Sequence, residues 1–141
     1  MFEKSAASRT RTGSDCCDHP AMCSVLIVDD HSSFRDSARA FLEGEGFVVV
    51  GEAVDGASAL AAVPETNPDV VLLDVQLPDL SGFAVAEAIS AAGHATRIVL
   101  TSTRDATEYG ELIDACPAVG FIAKDELTGD AIRALLADPR D

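Results

Sequence analysis

Val25-Leu26-Ile27-Val28-Asp29-Asp30 is the stretch that decides the fold: four aliphatic residues in an unbroken run, ending on two carboxylates. A strand with one wet face alternates apolar and polar residues, whereas a strand covered on both faces is continuously apolar. The run therefore predicts a strand with helices packed above and below it. Val48-Val49-Val50, Val70-Val71-Leu72-Leu73, Ile98-Val99-Leu100 and Val119-Gly120-Phe121-Ile122 repeat the pattern. The runs begin at 25, 48, 70, 98 and 119, so the steps are 23, 22, 28 and 21 residues. Each step holds one strand and one crossover helix, as a parallel connection requires.

The segments between the runs have helical spacing. Phe34, Ala38, Phe41 and Leu42 share one helical face, with Ser32 or Ser33 placed to cap its start and Gly44 or Gly46 to end it. Further helices are expected over 56–63, 82–92, 105–115 and 128–137. Thr128 is the expected cap of the last, with Asp130 near its positive end. Five βα units in succession predict an α/β fold: a five-stranded parallel sheet with right-handed crossovers. The expected strand order is 2-1-3-4-5, the flavodoxin-like doubly wound (βα)5 arrangement.

Charge separates the chain into two parts. Lys4, Arg9 and Arg11 balance Glu3, Asp15 and Asp18 within residues 1–22, so the whole net charge of −14 lies in residues 23–141. Such a surface repels phosphate backbones, and no direct contact with nucleic acid is expected. Residues 1–22 have no apolar period and are expected to form a disordered tail ahead of a single domain over 23–141. Cys16, Cys17, His19 and Cys23 do not match the paired spacing of a zinc site, and the four cysteines do not form a disulfide framework. No apolar run reaches the ~18 residues of a membrane span, and no signal-peptide stretch opens the chain. A cytoplasmic protein without membrane contact is expected.

In open parallel sheets, ligands bind beyond the carboxyl ends of the strands, where the strand order reverses. For the order 2-1-3-4-5 that point lies between the first and third strands. The first runs into Asp29 and Asp30, and the third into Asp74. Two carboxylates ~4 Å apart repel by ~4 kcal/mol at an effective dielectric of ~20. A small hard cation relieves that repulsion, and oxygen ligands of this kind suit Mg²⁺ with a phosphate as co-ligand. The fourth run ends in Thr101-Ser102, placing a hydroxyl on the same edge, and the fifth ends near Lys124. Lys124 is the only lysine after Lys4, a compact charge able to reach a phosphate oxygen beside a cation.

Leu26-Ile27-Val28-Asp29-Asp30-His31, Leu72-Leu73-Asp74-Val75-Gln76-Leu77-Pro78 with Gly82, the Ser102 hydroxyl and Lys124 together resemble the motifs of bacterial two-component receiver domains. Asp74 to Ser102 is 28 residues and Ser102 to Lys124 is 22, and the likeness covers residues 23–137. The resemblance implies that Asp74 is the phosphoacceptor, attacking the phosphorus of a phosphohistidine donor. It implies Asp30 as direct metal ligand, Asp29 as an acidic partner acting mainly through water, and the backbone carbonyl of Gln76 as a further ligand to Mg²⁺. Lys124 would pair with Asp74 and then with the phosphate. Ser102 would bond a phosphoryl oxygen and shift towards it, and Phe121 would occupy the aromatic switch position, although a plain core aromatic is an equal alternative there.

The implied function is phosphorylation-dependent signalling in a two-component phosphorelay, with a sensor histidine kinase or histidine phosphotransfer protein as donor. No turnover of a separate substrate is expected. Asp125 follows Lys124 where many relatives have proline, and with His31 this resembles receivers fused to a helix-turn-helix output. No such output is expected after Leu136, so signalling should pass to a downstream protein through the fourth helix, fifth strand and fifth helix. Three rivals compete. An electron carrier of the same architecture needs a hydroxyl- and glycine-rich phosphate loop where Asp29 and Asp30 stand. An aspartyl phosphatase would have its nucleophile after the first strand. A pseudo-receiver, an interaction module that needs no phosphorylation, commonly loses an acidic residue or the lysine, and none is lost here.

Overall fold

The computed structural model describes residues 23–103 and 109–136. The strands are β1 (Ser24–Val28), β2 (Val48–Ala53), β3 (Val70–Asp74), β4 (Arg97–Ser102) and β5 (Gly120–Ala123). The helices are α1 (Ser32–Gly44), α2 (Gly56–Thr66), α3 (Gly82–Ala91), α4 (Glu111–Ala115) and α5 (Gly129–Leu136). The sheet order is β2-β1-β3-β4-β5, and every neighbouring pair is parallel. The fold class and strand order are those expected from the sequence.

Alternation along each strand divides the core into two layers. Val25, Ile27, Val70, Leu72 and Val99 face one side, where Ala38 and Leu42 of α1 and Ile132 and Leu136 of α5 cover them. Leu26, Val28, Val71, Leu73 and Leu100 face the other, under Ala59 and Val63 of α2 and Val85 and Ile89 of α3. Each central strand is thus buried twice, which is why its sequence is apolar without interruption.

The helix ends correct two details. His31, with an extended backbone and no capping hydrogen bond from its side chain, precedes α1, and neither Ser32 nor Ser33 caps it. The reason lies one turn back: Asp29 Oδ1 accepts the His31 N–H at 2.8 Å, so the chain enters the helix already turned. Thr128 does cap α5, its Oγ1 accepting the Ala131 N–H at 3.0 Å. α2 runs on to Thr66, past Pro64, and ends where Asn67 takes a left-handed conformation (φ 48°). Of the helix expected over 105–115, residues 105–108 lie outside the described part, and after a turn at 109–110 the rest is the short α4. The expected tail lies outside the described residues apart from its boundary. Cys23 beside it is buried in the core.

Candidate functional site

The strand registers bring the reactive groups to one edge. Val28 pairs with Leu73, Asp74 with Thr101, and Ser102 with Ala123. Asp29, Asp74, Ser102 and Lys124 therefore leave their strands at nearly one level. Asp29 is fully buried and Asp74 is 2% exposed, although both are acids. Burial of this kind is costly unless opposite charge or donors compensate.

Compensation comes from three sources. Lys124 Nζ lies 2.5 Å from Asp29 Oδ2 and 3.5 Å from Asp74 Oδ2. The contact of the ammonium with Asp29 is an ion pair. Asp74 Oδ1 accepts the Gln76 N–H at 3.1 Å. His31 Nδ1 stands 3.1 Å from both Asp29 Oδ1 and Asp30 Oδ1. Lys124 Nζ also lies over the ring of Phe34, on the first turn of α1, 4.4 Å from its centroid.

Compensation is incomplete. Burial pushes the Asp74 carboxyl up to about 6, with the charge of Asp29 adding to it, while the Gln76 N–H and Lys124 pull the other way. Ligand atoms of Asp29, Asp30, His31 and Asp74 lie within 4.8 Å of one another. Three carboxylates and one ammonium sum formally to −3 + 1 = −2, the charge that one divalent cation cancels. The donor set is mainly hard carboxylate oxygen, which fits Mg²⁺.

The loop after β3 is fixed against the site. Gln76 and Ser81 form an antiparallel bridge, and the Gly82 N–H donates to the Val75 carbonyl at 2.7 Å. A Cβ on Gly82 would stand 2.5 Å from the Asp74 carbonyl oxygen and 2.8 Å from Val75 Cα, so only glycine fits. Asp79 pins the loop to α2, accepting the Gly56 and Ala57 N–H groups at 2.8 and 3.0 Å.

Ser102 is fully buried, and its Oγ lies 3.0 Å from the hydroxyl of Tyr109. The Tyr109 ring meets Phe83 edge-on at 5.5 Å and leans on half-buried Phe121 at 5.8 Å. Of the residues singled out from sequence, Asp29, Asp30, Asp74 and Lys124 converge, Gln76 adjoins them, and Ser102 and Phe121 meet through Tyr109. Sequence reasoning missed His31 as a neighbour of both acids, Phe34 over the lysine, Asp79, and Tyr109. Tyr109 had one available signal, being the chain's single tyrosine.

A doubly wound parallel sheet with an acidic cluster and a lysine at its switch point defines a receiver-type domain. Residues 25–136 match the response regulator receiver domain family, and the chain belongs to it. The probable transcriptional regulatory protein NarL of Mycobacterium tuberculosis is 38% identical over 120 residues, 83% of this chain and 55% of that protein. The solved receiver domain of the putative response regulator NarL from that organism superposes with a TM-score of 0.73 at 33% identity, covering 82% of this chain and 98% of that one. Response regulator TrrA of Thermotoga maritima, solved in complex with Mg²⁺ and BeF, gives 0.71 at 28% identity, covering 81% and 99%.

This chain spans about half the length of the curated relatives it matches. Several of those relatives are named as transcriptional regulators. The exclusion of nucleic acid read from charge is corrected accordingly: it describes the acidic surface of this domain and does not extend to a whole protein of the relatives' length. Among the described residues, no helix is long and apolar enough to cross a membrane.

Proposed function

We propose that this receiver domain accepts a phosphoryl group on Asp74 from a phosphohistidine donor, a sensor histidine kinase or histidine phosphotransfer protein. The carrying observation is the convergence of buried Asp74 with Asp29, Asp30 and Lys124 at the switch point. A carboxylate oxygen of Asp74 bonds to phosphorus as the phosphorus–nitrogen bond to the donor imidazole breaks, and the imidazole keeps that electron pair and takes a proton. Asp29, Asp30, Asp74 and the Gln76 carbonyl would hold Mg²⁺, which when bound neutralises charge on the transferring group. Lys124 is within a short movement of Asp74 and would follow the charge from the carboxylate to a phosphoryl oxygen. Ser102 would donate to another phosphoryl oxygen, and Phe121 would register its shift.

The domain turns over no separate substrate, works in the cytoplasm, and passes its signal to a downstream protein or onward to a histidine. An interaction module that needs no phosphorylation is disfavoured, because such a module has no use for three converging acids and a half-buried lysine between two of them. Incubation with acetyl phosphate and Mg²⁺ tests the reading. The wild type should gain one acid-labile acyl phosphate, and Asp74→Asn none. Mapping of the phosphate to Asp29 or Asp30 would overturn the assignment.

A further inference from the structure

The hydroxyl that the proposed chemistry needs at a phosphoryl oxygen is already engaged. Ser102 Oγ and Tyr109 OH are 3.0 Å apart, with Ser102 fully buried and Tyr109 half-buried. In such a place water competes poorly for the bond. Two rings hold the phenol in turn: Phe83 at 5.5 Å, edge-on, and Phe121 at 5.8 Å, tilted. Phe83 stands in the first turn of α3, next to the glycine packed on the Asp74 carbonyl, and Phe121 lies on β5. Gly110, with φ +42°, turns the chain sharply from Tyr109 into α4. One side chain therefore touches the β4 hydroxyl, the β5 aromatic and the helix that follows the acceptor loop.

We infer that Tyr109 is a positioning residue that latches the Ser102 hydroxyl in the resting protein, in competition with a phosphoryl oxygen on Asp74. The inference rests on Asp74 as phosphoacceptor and adds a residue outside the acidic cluster. A serine hydroxyl has one proton to donate. Either hydroxyl can donate in this bond. Where Ser102 donates, its proton is withheld from a phosphoryl oxygen; where it accepts, the phenol still holds its Oγ, so seating the phosphoryl group must break the latch. Released from Ser102, the Tyr109 ring is free to shift against Phe121 and Phe83, which carries the change towards β5 and α3.

The chain has one tyrosine and no tryptophan, so intrinsic emission reports on Tyr109 alone. The test uses the full chain with Mg²⁺ and beryllofluoride, a phosphoryl mimic, titrated by calorimetry. Tyr109→Phe keeps both ring contacts and removes only the hydroxyl. It should bind beryllofluoride about three- to tenfold more tightly than the wild type, the worth of one net hydrogen bond. Wild-type tyrosine emission should change with beryllofluoride and not with Mg²⁺ alone, moving towards that of unliganded Ser102→Ala. Equal or weaker binding by Tyr109→Phe, with the wild type binding normally, overturns the latch and leaves the Asp74 reading standing. No binding by the wild type overturns both. Should Tyr109→Phe fail to fold, the emission of Ser102→Ala decides: a spectrum identical to the resting wild type overturns the latch.

Discussion

Lys124 Nζ lies closer to Asp29 than to Asp74, 2.5 Å against 3.5 Å. The lysine's first partner in this structure is thus the fully buried acid that follows β1, and the proposed phosphoacceptor is its second. The ammonium stands in for part of the positive charge the three carboxylates require. Phe34 behind it, 4.4 Å from Nζ, limits its retreat.

Removing that charge leaves two buried carboxylates uncompensated. Lys124→Met, which keeps the length of the stem, is expected to destabilise the metal-free fold by about 3–5 kcal/mol, as when one partner of a buried pair is deleted. Added Mg²⁺ should recover more stability in the variant than in the wild type, because the acids then lack any other cation. Thermal unfolding with and without Mg²⁺ checks both. An unchanged melting temperature would mean that the acids are solvated well enough without the lysine.

The raised carboxyl of Asp74 fixes the sign of a pH effect. Its ordinary value of 3.8 is pushed up to about 6, chiefly by burial. Between those values the folded protein holds a proton that the unfolded chain has released. The stability contributed is complete below the unfolded value and lost as pH rises through about 6. Asp74→Asn has no such loss, and without metal it should be about 1–3 kcal/mol more stable than the wild type at neutral pH. The difference should shrink on acidification. A variant less stable at neutral pH, or a difference that ignores pH, would contradict the burial account.

Metal affinity should separate side-chain ligands from backbone ones. The carboxylate of Asp30 is a member of the cluster, whereas the exposed Gln76 would contribute only its carbonyl. Asp30→Ala is therefore expected to weaken Mg²⁺ binding about tenfold or more, at about 1.4 kcal/mol per tenfold, and Gln76→Ala to change it little. Equal losses in a calorimetric titration would remove Gln76's backbone role.

The sheet and most of the acid cluster were legible in the sequence because both depend on local pattern. A twice-covered strand must be apolar throughout, and the acids sit directly at strand ends, so Asp29, Asp30, Asp74, Ser102 and Lys124 could be placed from position alone. What stayed hidden depends on contacts across the fold. Phe34 looks like one more residue on the apolar face of α1, and only the packing sets its ring over Lys124. Tyr109 lies in the stretch expected to be helical over 105–115, and nothing local announces that its hydroxyl finds Ser102. His31 was visible beside Asp30, yet its bond to Asp29 follows from the turn into α1 rather than from its neighbours in sequence. The expected caps Ser32 and Ser33 failed for the same reason.

The loop after β3 offers a last pair of variants that separate fold stability from the chemistry of Asp74. Asp79 accepts the Gly56 N–H at 2.8 Å and the Ala57 N–H at 3.0 Å, both at the start of α2 and across 23 and 22 residues of chain. Those amides hold its carboxyl below the ordinary range, Gly56 foremost. Asp55 already caps the same helix by accepting the Ser58 N–H. Asp79→Ala should therefore lower the melting temperature modestly and leave Asp74 in place. Gly82→Ala differs in kind. Its Cβ would press on the Asp74 carbonyl oxygen at 2.5 Å and on Val75 Cα at 2.8 Å, and backbone yields less readily than a side chain. The strain should cost about 1–3 kcal/mol and displace the end of β3 itself. Both variants should melt below the wild type, but only Gly82→Ala should also slow phosphorylation by acetyl phosphate when measured well below its melting temperature. Equal phosphorylation rates in the two variants would show that the glycine serves packing alone and does not help to place the acceptor carboxylate.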